Sequence, residues 1–283
     1  MSVVPAHRLG IDEAVRYLRS EARFESLVRD AYLGPDVHDS AERFRQSAEF
    51  AEVCEWLGDP IPARILDVGA GNGIAAYAFV SAGASEVYAL EPSRSNEVGT
   101  GAIERLARGR PIQTISGYAE AIPLPNEAVD AVYARQVLHH TRDLRRALAE
   151  CARVLTAGGL FVACREHVVR GERDLQAFLR THPLHVLVGG EHAYRLTDYL
   201  AALNAAGLKV KRVLRPYDSI VNAFPDARTL AEVEQLPVNK LRSRVGPAAD
   251  LLIRFPGARR LLLRRLNRPC CGKPYSFVAE KAR

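Results

Sequence analysis

Three glycines alternate along Asp67-Val-Gly-Ala-Gly-Asn-Gly73, directly after the apolar run Ile65-Leu66. Glycines at every second position keep side chains off the main chain and adopt positive φ cheaply, so a ligand can rest on backbone N–H groups where a helix begins. Downstream stands Glu91, an acid at the end of an apolar stretch. Its two acceptor oxygens can take both hydroxyls of a ribose. A third set suits proton transfer: His139-His140, Glu166-His167, His182-x-x-His185 and Glu191-His192. Histidine exchanges protons near neutral pH, as general acid–base work on a hydroxyl requires.

These residues need a scaffold, and the sequence around them alternates strands with helices. Strands are predicted over 63–68, 86–90, 112–115, 128–133, 160–164, 208–214 and 274–281, and helices over 74–82, from Thr141 as N-cap through 155, and from Thr197 to Gly207. That pattern belongs to a parallel sheet covered on both faces. It places His139 and His140 just past the fourth strand and Glu166 and His167 just past the fifth. Before the sheet, helices are predicted over 11–29 and 41–57, with a polar break over 36–40. The region 218–269 reads as inserted helices.

The order of motifs is a glycine turn, a strand-end acid, Ala119-Glu120-x-x-Pro123, Leu138-His139-His140, and Arg153-Val-Leu-x-x-Gly158-Gly159. Over about residues 64–165 this order resembles the class I S-adenosylmethionine (SAM) dependent methyltransferases, specifically the type 11 methyltransferase domain family. The resemblance implies an α/β fold: a Rossmann-like, seven-stranded, mostly parallel sheet whose last strand is antiparallel. It divides the chain into an N-terminal helical cover (1–60), a SAM-binding core (61–217), a helical cap insertion (218–269) and the last strand of the sheet (270–283).

The resemblance also implies SAM as cofactor and S-adenosylhomocysteine as product. Asp67, Gly69, Ala70, Gly71, Asn72, Gly73, Glu91, Pro92, Tyr118, Ala119, Glu120 and Gln136 are the expected cofactor contacts. Tyr118 stands where the family often has an acid, and it would stack on the adenine, leave that contact to the backbone of Ala119 and Glu120, or pack in the core. The expected reaction is methyl transfer to a small molecule or glycan, at oxygen, with His167, then His140, then His192 as candidates for the base. A nicotinamide-dependent oxidoreductase is an alternative, but G-x-G-x-x-G would need glycine where Ile74 stands. A non-catalytic SAM-binding member is the third reading, which turnover would exclude.

Composition narrows the field. Apolar residues at 48% and charged residues at 25% of 283 are those of a globular chain with a sizeable core. A net charge of +6 permits anionic partners without requiring nucleic acid, and the motif of amino-methylating base enzymes is absent. The five cysteines form no disulfide or metal framework. His182, His185, Glu191 and His192 have the types of metal ligands but not a metal-binding spacing, so no metal is expected. The start lacks the apolar core of a signal peptide, and a cytoplasmic location is expected. The arginine-rich stretch 258–268 reads as a solvated cap helix, with weak contact to a membrane surface or an anionic carrier as the sharper alternative.

Overall fold

Short apolar runs bounded by glycine and proline form eight strands in the computed structural model, which describes residues 8–283. They are β1 (Arg64–Val68), β2 (Glu86–Glu91), β3 (Ile112–Ser116), β4 (Val129–Arg135), β5 (Leu155–Val169), β6 (Tyr194–Arg195), β7 (Leu208–Leu214) and β8 (Lys273–Lys281). Seven of them run in the order β3-β2-β1-β4-β5-β8-β7, and the two-residue β6 pairs with β5 off that path. Pairs within β1 to β5 are parallel, whereas β8 is antiparallel to both β5 and β7. The fold is thus the expected Rossmann-like sheet with its last strand inserted beside the fifth, extended by β6.

Alternation along the strands divides the core into two layers. Ile65, Ala131, Tyr133 and Val162 face one side, against Phe44, Phe50, Val53 and Phe79 of helices Val37–Arg45, Ala48–Leu57 and Ile74–Ser81. Leu66, Val68, Val132 and Ala134 face the other, with Leu148 and Cys151 of helix Leu144–Val154 and Tyr199 and Leu203 of helix Leu196–Ala205. The chain winds outward from β1 to β3 and then returns to β4. Strand order therefore reverses between β1 and β4, which opens a crevice at their carboxyl ends.

Four departures of local structure from the sequence expectations bear on the site. The helix predicted over 11–29 breaks into Ile11–Ser20, a 3₁₀ turn Ala22–Phe24, and Glu25–Asp30. The break predicted at 36–40 is a helix start, because Asp36 accepts from the His38 and Asp39 N–H groups; Ser47 then caps a separate helix. Thr141 bonds back to the Leu138 carbonyl, and Asp143 is the residue that caps Leu144–Val154. Most consequentially, β5 does not stop at 164. It kinks at Arg165 (φ 59°), with a register shift between Ala163 and Glu166, and continues to Val169. Glu166 and His167 therefore sit on a strand paired with β8, not on a loop beyond it.

Helices Ile220–Ala223, Leu230–Val245, Ala248–Ile253 and Pro256–Leu266 lie between β7 and β8. No helix among the described residues is long and apolar enough to cross a membrane.

Candidate active site

The glycine turn leaves β1 at Val68 and enters helix Ile74–Ser81 with Gly69, Gly71 and Gly73 all at positive φ. Glu91, at the end of β2, holds the turn open. One carboxylate oxygen accepts from Gly71 N–H and the other from Ser93 N–H, both at 2.9 Å. Each oxygen keeps a lone pair for a further donor. A Cβ on Gly71 would meet nothing within 4 Å, so the main chain there is bare. Asp67 is 2% exposed, and its Oδ2 is buried without a partner. Burial, with the Glu91 charge behind it, pushes the Asp67 carboxyl up to about 8, against a smaller opposing pull from the Ala76 N–H. Bare backbone, an unpartnered buried carboxyl oxygen on Asp67 and spare acceptor capacity on Glu91 suit a polar nucleoside ligand such as SAM.

The other residues expected at the cofactor are spread around this turn. Asn72 donates from Nδ2 to the Tyr32 carbonyl at 2.9 Å and so ties the turn to the N-terminal helices. Tyr118 is 62% exposed, which removes core packing as its role. Ala119 is buried and Pro92 exposed. The Glu120 carboxylate accepts from Arg142 N–H at 2.7 Å, and its backbone carbonyl accepts from Arg146 Nε at 2.8 Å. Gln136 sits at φ 57° where the chain leaves β4, and its amide oxygen accepts from Arg135 at 3.2 Å.

The histidines gather next to the glycine turn because of the connection after β4. The Val137 side chain packs over Gly69, and Val137 N–H donates to Glu166 Oε1 at 3.0 Å. The other Glu166 oxygen accepts from His139 N–H at 3.1 Å and lies 2.8 Å from His139 Nδ1. Glu191 faces the far side of the His139 ring, with Oε2 3.5 Å from Nε2. The same oxygen lies 3.7 Å from His140 Nε2, and Oε1 lies 3.6 Å from His182 Nδ1. His167 bonds the Gly272 carbonyl through Nδ1 at 2.7 Å, and its ring centroid is 4.5 Å from that of His139.

Charge follows from this packing. Burial pulls the His139 ring down, but Glu166 and Glu191 together outweigh it and raise its pKa to about 9. Burial opposes ionisation of Glu191, yet the surrounding histidines hold its carboxyl near 2. Burial and the neighbouring His139 charge push His167 down to about 3. The His140 side chain is 44% exposed at the edge of the cluster. His192 is turned aside, its ring 4.7 Å from that of Tyr194.

The N-terminal helices close over this region. Arg19 pairs with Glu97 and donates to the Leu33 and Gly34 carbonyls, while Asp12 meets Ser95 beyond β2. Glu49 forms a two-pronged buried pair with Arg135 at 2.6 and 3.1 Å. Leu9 N–H donates to the Leu187 carbonyl, so the short helix Pro183–Leu187 belongs to the same roof.

The methyltransferase-domain family model matches residues 66–163, the segment from β1 into β5 that carries both the glycine turn and His139. A ubiquinone biosynthesis O-methyltransferase of Rhizobium johnstonii is 30% identical over 189 residues, covering 65% of this chain and 71% of that protein. The chain belongs to the class I SAM-dependent methyltransferases. A ubiquinone biosynthesis O-methyltransferase of Rhizobium rhizogenes is also 30% identical, over 168 residues, covering 59% of this chain and 63% of that one, so this methyltransferase chain spans less than two thirds of that relative. A solved geranyl diphosphate methyltransferase, in complex with its diphosphate and sinefungin, has the same fold, with a TM-score of 0.57, 16% identity, and coverage of 92% and 86% of the two chains. SAM is the cofactor of this family, and the bare turn at Gly71 suits it.

Sequence reasoning missed Glu49, Arg135, Tyr32 and Val137 as parts of the site. The one available signal was an acid, Glu49, on the apolar face of its helix; a buried acid there requires a partner.

Proposed function

We propose that this chain methylates a hydroxyl oxygen of a small-molecule or glycan acceptor, with SAM held on the turn 69–73. The observation that carries this reading is the connection after β4. It walls the glycine turn with Val137 and, three residues on, delivers His140 half-exposed beside the ionised Glu191. Bound SAM supplies an electrophilic methyl group on a sulfonium.

The chain's own residues do the rest. The main chain of Gly69, Ala70, Gly71, Asn72 and Gly73 binds the cofactor with Asp67, and Glu91 takes the sugar hydroxyls. Pro92, Tyr118, the backbone of Ala119 and Glu120, and Gln136 line the remainder. His140 takes the acceptor proton, ahead of His167, whose ring is enclosed, and His192, which packs on Tyr194. The N-terminal helices exclude water and hold the acceptor in line, where positioning supplies much of the rate. Two relatives named as O-methyltransferases support oxygen as the target. Exposed Arg260, Arg264, Arg265 and Arg268, beside exposed Phe255 and Leu261, support contact with an anionic carrier or lipid surface that presents the acceptor.

Calorimetry with S-adenosylhomocysteine, followed by mass spectrometry of a panel of hydroxyl and amine acceptors incubated with SAM, tests this. Mass gain on hydroxyl compounds supports the reading. Absence of S-adenosylhomocysteine binding up to about 1 mM, a free energy of only about −4 kcal/mol, ends it. His140→Ala is expected to lower kcat by about 10²–10⁴-fold while cofactor affinity stays.

A further inference from the structure

Methyl transfer as derived above gives His139 and His167 no task and uses Glu191, which converges with them, only as a charge beside His140. One potential ligand atom from each of His139, His167 and Glu191 lies within 4.8 Å of the other two. On both rings Nδ1 is already engaged: His139 with a carboxylate, Glu166, and His167 with a backbone carbonyl, Gly272. A carbonyl only accepts, so His167 carries its proton on Nδ1 and keeps a lone pair on Nε2. That Nε2 is buried and has no hydrogen-bond partner. Glu191 Oε2 is buried and equally without a hydrogen bond, although two imidazoles stand near it. A carboxylate or carbonyl on Nδ1 that turns Nε2 inward is the outer-shell arrangement that orients metal-binding histidines, and metal binding at His139 would release the proton it shares with the acids.

We propose that His139 Nε2, His167 Nε2 and Glu191 Oε2 bind one divalent first-row ion of the zinc, iron(II) or cobalt(II) class, to which two imidazoles and a carboxylate are suited. Bond lengths near 2.0–2.1 Å put tetrahedral ligands about 3.3 Å apart. His139 Nε2 and Glu191 Oε2 are already 3.5 Å apart. No pair of ligand atoms is more than 4.8 Å apart, so none needs to close by more than about 1.5 Å.

Three distant segments build the site: the turn after β4, β5 beyond its kink, and the stretch before β6, which pairing of Val168 with Tyr194 brings alongside. No linear spacing announces such a site, which is why the sequence reading expects no metal. Its use rests on the methyl-transfer reading. The cluster adjoins the cofactor turn through Val137, so an open coordination position could hold and polarise the acceptor oxygen. The ion's binding itself does not depend on that use.

The test uses the full chain, purified without a polyhistidine tag, stripped by chelator and titrated with Co²⁺, with Zn²⁺ competition and with S-adenosylhomocysteine calorimetry in parallel. One cobalt per chain is expected, with weak d–d bands and no thiolate charge-transfer band. His167→Gln and Glu191→Gln should each weaken cobalt binding by on the order of 100-fold or more. His38→Gln, at an exposed position, should leave it unchanged. No uptake, a thiolate band, or uptake undiminished in both site variants overturns the proposal. Should a variant fail to fold, wild-type stoichiometry and spectrum decide. Binding of S-adenosylhomocysteine without cobalt uptake overturns the metal site and leaves the methyl-transfer reading standing; cobalt uptake without S-adenosylhomocysteine does the reverse.

Discussion

Val137 covers Gly69 so closely that a Cβ at position 69 would stand 2.5 Å from Val137 Cγ2. Two requirements therefore meet at Gly69, a positive φ and the absence of a side chain, whereas Gly71 has only the first. Gly69→Ala is expected to lose about 1–3 kcal/mol of stability and most S-adenosylhomocysteine binding. Adding Val137→Ala should restore part of the stability. Gly71→Ala, with open space around it, should cost only about 1 kcal/mol yet still weaken the ligand, because its methyl enters the bare turn. Thermal melts and calorimetry on the four proteins separate these effects; wild-type affinity in Gly71→Ala would place the ligand elsewhere.

Glu91 bonds two backbone N–H groups that belong to different loops, at Gly71 and at Ser93. Glu91→Gln turns one acceptor oxygen into an NH₂ group facing an N–H donor. Loss of one charge-assisted bond, about 1.5–3 kcal/mol, predicts about 10–150-fold weaker S-adenosylhomocysteine binding. Glu91→Ala should be weaker still. Calorimetry at fixed ionic strength checks the order.

The Glu49–Arg135 pair links the helical cover to β4 in a buried setting. Removing one partner strands the other charge, so Glu49→Ala should destabilise the fold by about 3–5 kcal/mol. Replacing both, as in Glu49→Leu with Arg135→Met, should recover most of that loss. Urea unfolding of the singles and the double measures the coupling.

Asp67 carries a pH dependence whose sign is set by burial. Its folded pKa, about 8, lies above the ordinary value of 3.8, so the folded chain binds this proton more tightly than the unfolded chain. Its contribution is full below about pH 4 and is lost as pH rises toward 8, by up to about 1.4 kcal/mol per pH unit. Asp67→Asn should remove that slope. Urea unfolding of the ligand-free wild type and variant at pH 5, 6, 7 and 8 tests this; parallel curves would contradict it.

What the sequence determined by itself is local. The glycine turn, the acid ending β2 and the alternation of strands with helices are written within runs of about ten residues, where backbone freedom and side-chain period act directly. The helix starts at Asp36 and Asp143 differ from the sequence expectation because several polar residues compete for one cap and only the surrounding packing selects among them. Tertiary structure alone decided the histidine cluster. The kink at Arg165 carries β5 onward, the turn before β8 supplies the Gly272 carbonyl to His167, and the β5–β6 pairing brings Glu191 to His139. Each is a contact between segments far apart in the chain. Register and strand continuation depend on what the whole sheet can pair and bury, and no short window of sequence contains that information.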